Sequence, residues 1–149
     1  MATRTHDVPI HPDHGAIVVV MFVHGNFPHG ARACLDSGAK LTQLPYEATV
    51  PLGLKGSTKR GLPVRVADGQ RVRTWRTKAP ITAQILTYID GKPDSIGPSF
   101  PVEPCFVKPR RRLPGAVAVE PPHLLGHSDF LKVFRTHTAD ATLTLEWDE

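Results

Sequence analysis

The segment Ala33-Cys34-Leu35-Asp36-Ser37-Gly38-Ala39 sets a carboxylate, a hydroxyl and a glycine in succession behind a short apolar stretch. A carboxylate at the point where a strand becomes a turn has a rigid base, and Gly38 allows a backbone approach that a side chain would block. Asp36 so placed is a candidate for acid-base chemistry. The same triplet also suits an ordinary turn, because Asp and Ser both bond their own backbone two residues on. Metal chemistry has less to build on. Eight histidines include His11 and His14 in the run HPDH, but no HExxH or Cys-x-x-Cys frames them and a proline-containing arm is a poor rigid scaffold. No metal or other cofactor is therefore expected.

The surrounding chain must hold Asp36 in place. Its 149 residues suffice for one core and not for two. Hydrophobic residues at 40% exclude a long disordered chain, while 15 Pro and 12 Gly argue against a helix bundle and for short strands joined by turns. An all-β fold is expected. Ala16–Val23 (AIVVVMFV) is suited to a strand buried on both faces, and Gly25-Asn26 ends it. A short strand, a turn over Asp36–Ala39 and a second strand ending at Pro45 follow. Leu62–Ala67, Asp68-Gly69 and Gln70–Trp75 read as a hairpin, since Asp-Gly accepts the positive φ angles of a two-residue turn. Alternation over Ile81–Ile89 marks a half-buried strand ended by Asp90-Gly91, and another strand is expected over Phe100–Val107. In LLGHSDFLKVFR, Ser128 or Asp129 is placed to cap a short helix with Phe130, Leu131 and Phe134 inward, ahead of a last strand at Thr142–Trp147. Residues 1–15 read as a flexible N-terminal arm, or an edge segment ordered only if it pairs, and 16–149 as one domain.

Charge excludes little. Eighteen Lys and Arg against 14 Asp and Glu leave +4, short of a nucleic-acid-binding signature. The densest basic cluster, Lys108 and Arg110–Arg112, lacks interleaved aromatic residues to stack bases, so a solvated loop is the simpler reading. Cys34 and Cys105 sit in apolar runs and read as free thiols. The apolar run Ala16–Val23 is far short of the ~20 residues a membrane span needs, and no signal-like stretch follows the first residues, so a cytoplasmic protein is expected.

The order of these parts resembles the retroviral-type, single-lobed aspartic proteases over about residues 16–147. ACLDSGAKLTQLP is similar to the family's apolar strand, Asp-Ser/Thr-Gly-Ala loop and following strand. VRVADGQRVRTW is similar to its flap hairpin, LLGHSDFL to its paired apolar residues, glycine and short helix, and TLTLEW to its closing strand. The resemblance implies an acid-protease-type closed β-barrel with one short C-terminal helix. Peptide hydrolysis by this route needs one carboxylate to activate water and one carboxylic acid to polarise the carbonyl and protonate the leaving amine. With a single Asp-Ser-Gly in the chain, the second Asp36 must come from another copy across a two-fold axis, which implies a homodimer. Two carboxyls about 3 Å apart share one proton, and their apparent pKa values are pushed apart.

By the same resemblance Ser37 would brace the pair, Gly38 and Ala39 would let substrate backbone pass close to Asp36, and Ala67, Asp68, Gly69 and Gln70 would form the flap tip over a peptide or unfolded protein substrate. Leu125 and Gly126 would support the loop from beneath. Cys34 shares a strand face with Asp36 and could line a subsite, although a small buried residue is the plainer reading. This chain departs from the family in three places. His127 and Ser128 separate Gly126 from Asp129 where one residue is usual, which would start the helix one residue later. The flap has the single Gly69, and Lys108–Pro122 is longer than the usual connection. Two other functions fit parts of the sequence: a non-catalytic dimeric peptide-binding module of the same fold, and a basic adaptor for polyanions built on Lys108–Arg112.

Overall fold

The structure, a computed structural model, describes residues 2–36, 38–65, 71–108 and 123–149. Strands β1 (Thr3–His11), β2 (Gly15–His24) and β3 (Phe27–Asp36) run antiparallel in succession. The segment read as an arm or a pairing-dependent edge takes the second course, since β1 forms a seven-residue ladder with the last strand of the chain. In β2 the residues Ala16, Val18, Val20 and Phe22 are buried and the residues between them half-buried, so one face is covered more fully than the other. That alternation is the period-2 pattern of a pleated strand.

After β3 come β4 (Gln43–Pro45), a 3-10 turn (Tyr46–Thr49), β5 (Lys59–Arg60), β6 (Val64–Arg65), β7 (Arg71–Val72) and β8 (Thr74–Arg76). Of the expected hairpin the described residues show two facing pairs of β6 and β7, Val64 with Val72 and Arg65 with Arg71, whereas Thr74 and Trp75, expected in its second arm, belong to β8, which pairs with β5 and with Phe106 and Val107. A two-residue Asp68-Gly69 turn would instead put Arg65 opposite Val72, so the register is one residue away from that expectation. The tip residues Ala67, Asp68, Gly69 and Gln70, like Ser37, lie outside the described residues.

Strands β9 (Ile81–Ile89) and β10 (Lys92–Val102) meet at a two-residue turn in which Asp90 and Gly91 both take positive φ, 50° and 76°. The strand expected over Phe100–Val107 is broken at Glu103-Pro104: its second half is β11 (Cys105–Val107), which leaves β9 and pairs with β4 and β8. Proline cannot donate to a ladder, which suits a change of partner there. The chain closes with β12 (Leu124–Gly126), helix α1 (His127–Phe130), β13 (Arg135–Ala139) and β14 (Thr142–Asp148). Helix α1 begins directly after Gly126, without the expected one-residue delay or a side-chain cap, and Leu131 is exposed while Phe130 and Phe134 are buried.

Apart from α1 and the 3-10 turn the described residues form an all-β fold, and the expected closed barrel is not formed by their hydrogen bonding. Among the described residues the sheet runs β13-β14-β1-β2-β3-β12-β4-β11-β8-β5 and branches at β2, where β9 takes the edge opposite β3 and carries β10. The branch packs Phe22, Ile81, Ile85, Phe100, Phe106 and Leu125 into one core. In its midst, β12 is inserted parallel to β3 and antiparallel to β4. The connection from β3 to β4 must therefore pass around the end of β12, and Asp36 lies at the start of that passage.

Candidate active site

Asp36 is the last residue of β3 and is half-buried. Its Oδ1 accepts the Gly38 N–H at 2.9 Å and its backbone carbonyl accepts the Ala39 N–H at 3.2 Å, an Asx-type turn that fixes the carboxylate over its own loop. Register places Cys34, Leu35 and Asp36 opposite Leu124, Leu125 and Gly126. The structure thus brings Asp36, Gly38, Ala39, Cys34, Leu125 and Gly126 together.

The loop is fastened to the chain after β12. The His127 N–H donates to the Ala39 carbonyl at 2.8 Å, and Ser128 donates to the Lys40 carbonyl from its N–H at 3.1 Å and from its Oγ at 2.6 Å. Thr42, fully buried, donates from Oγ1 to Asp129 Oδ2 at 2.6 Å and accepts the Gly126 N–H at 3.1 Å. Asp129, 2% exposed, also accepts the Glu103 N–H at 3.4 Å. So Asp129 reaches the loop in spite of the extra residue before it. A buried carboxylate without such donors costs about 1–3 kcal/mol or more, which is why the pair acts as a brace. Sequence reasoning missed Thr42, which precedes β4 in the mixed run Lys40-Leu41-Thr42-Gln43 and carries no local signal of its role.

Cys34 is half-buried, with its Sγ 3.6 Å from the His14 carbonyl, and burial followed by the charge of Asp36 pushes its thiol pKa up. Cys105 is buried and free, its pKa raised first by burial, against a nearby Arg76. Neither is poised as a nucleophile. His123 is half-buried beside Phe22, its Nε2 3.0 Å from Nε2 of His29. No sequence signal links two histidines 94 residues apart. Among the described residues no group of three or more His, Cys, Asp or Glu is arranged to hold a metal ion.

Burial, then the charge of His29, lowers His123 to about 4, and burial lowers His29. In the unfolded chain both imidazoles take up protons near pH 6.5, above their folded values. Their contribution to stability is therefore complete above that pH and is lost as pH falls toward 4. Urea unfolding of the parent should show a larger drop in midpoint between pH 7 and 4.5 than His123→Gln does. Equal drops would remove the histidine pair from the pH response.

No family model matches the chain, and no curated protein matches it. Among solved structures, a retropepsin-like aspartic protease from Rickettsia conorii is similar over 98% of this chain and 93% of that one, at 15% identity and a TM-score of 0.49. No helix among the described residues is long and apolar enough to cross a membrane.

Proposed function

We propose that this chain is an aspartic endopeptidase that acts as a homodimer, with water activated between the Asp36 carboxylates of two copies. The observation that supports this reading is the fixed carboxylate at the end of β3, held by the Gly38 N–H in a loop wrapped around β12. One such carboxylate supplies a base or an acid but not both at once, so the reaction requires a second. In the dimer one Asp36 takes the proton of the attacking water while the other, protonated, donates to the carbonyl oxygen; the leaving amine then receives a proton from the pair. Ser37 is assigned the brace between the two loops, and Ala67–Gln70 the cover over the substrate. An extended peptide adds to the sheet by main-chain bonds, with pockets reading alternate side chains.

The test is incubation with a mixed library of unstructured peptides from about pH 4 to 7, where a shared-proton carboxylate pair is active, read by mass spectrometry at several protein concentrations. Discrete cuts are expected, with a rate per subunit that rises with concentration until the dimer saturates. Cleavage at a constant rate per subunit far below saturation, or no cleavage at high concentration, contradicts the proposal.

A further inference from the structure

The strand face that carries Asp36 continues into a cleft of about 720 Å³. Cys34 and Arg32, two and four residues before Asp36 on β3, line it, and each two-residue step along a strand is about 7 Å. Ile17, Leu124 and His123 also line it, and Asp13, in the turn between β1 and β2, is the one carboxylate among its described lining residues. Cys34, in the lining and on the same face of β3 two residues before Asp36, puts the cleft about 7 Å along the strand from that carboxylate. Arg32 is exposed and makes no ion pair with any described residue, Asp13 included. A guanidinium offers a planar fork of donors matched to a carboxylate, and here that fork is unmet beside apolar walls.

We infer that this cleft is a subsite for an acidic substrate side chain, with Arg32 as the residue that selects it. Ile17 and Leu124 receive the methylene stem and the Arg32 guanidinium takes the carboxylate. A glutamate has that make-up, and glutamine of the same shape lacks the charge. Discrimination rests on the charge-assisted, two-point pair that the glutamate carboxylate forms with the guanidinium and the neutral analogue cannot. Asp13 works against this preference, so Asp13→Asn should sharpen it. The inference deepens the endopeptidase reading and uses the same face of β3, so its test separates binding from turnover.

The Asp36→Asn chain is incubated with an equimolar library of unstructured peptides, and the retained peptides are sequenced. Asp and Glu should be enriched at one position about fivefold or more, reduced to background by added Arg32→Gln and restored in part by Arg32→Lys. Arg32 is exposed, so these variants leave the core intact. No retention, retention without acidic enrichment, or enrichment that survives Arg32→Gln overturns the inference. In parallel, the parent is assayed for cleavage. If it cuts without acidic preference, the subsite is wrong and the endopeptidase stands; if acidic peptides are retained and nothing is cut, the subsite stands and the endopeptidase falls.

Discussion

Asp36→Asn is expected to lower peptide cleavage on the order of 10²–10⁴-fold, the usual worth of positioned acid-base groups. The replacement keeps the shape of the side chain and leaves an amide oxygen to accept the Gly38 N–H that Asp36 Oδ1 accepts at 2.9 Å. The turn should therefore persist, and the thermal midpoint should stay close to that of the parent. What the amide cannot do is take a proton from water and later release one. Fragment yield by mass spectrometry and an unfolding curve on the same preparation check both halves. Equal cutting by parent and variant would make Asp36 a turn residue only.

Gly126→Ala should carry the largest cost in stability of any single-methyl addition near the site. A Cβ there would meet the Leu41 carbonyl carbon, with the Leu41 oxygen at 2.5 Å and the Lys40 oxygen at 2.6 Å. These are backbone atoms of the loop that wraps β12, so no side chain can swing aside, and overpacking of this kind costs about 1–3 kcal/mol or more. Relief would move residues 40–41, of which Lys40 accepts both Ser128 bonds, and with them the loop that begins at Asp36. Cleavage should fall together with the urea midpoint. Gly30→Ala on the same strand as Asp36 is the control: its nearest neighbour is the flexible Met21 Cε at 3.4 Å, so a change within about 0.5 kcal/mol is expected. Similar losses in both variants would refute the packing explanation.

Much of the frame around the site was legible because its signals are local. Alternation marked the strand at Ile81–Ile89, Asp90-Gly91 marked its turn, and the apolar run before Asp36 marked the strand that delivers it. Strand β13 was not legible, since the turn after it is made by Asp140 and Ala141 at φ 51° and 57° without the glycine that usually announces such angles. The break between β10 and β11 was hidden in a run that is apolar on both sides of Glu103-Pro104. Closure of the sheet is decided by edge pairing across the whole chain, and the pattern of single strands does not encode it. The brace between Thr42 and Asp129 joins residues 87 apart, as the His29–His123 contact joins residues 94 apart. Burial made both, and burial is a property of the assembled fold.

The central claim, that two copies of Asp36 form one site, is tested most directly by mixing subunits. Parent chain is exchanged with about a ninefold excess of Asp36→Asn chain and peptide cleavage is followed. Random pairing leaves roughly one parent subunit in ten with a parent partner, so activity should fall about tenfold from that of parent alone. Activity unchanged by the excess, with exchange verified by a mass-labelled variant, would place the whole of the chemistry within a single chain and contradict the paired-carboxylate site.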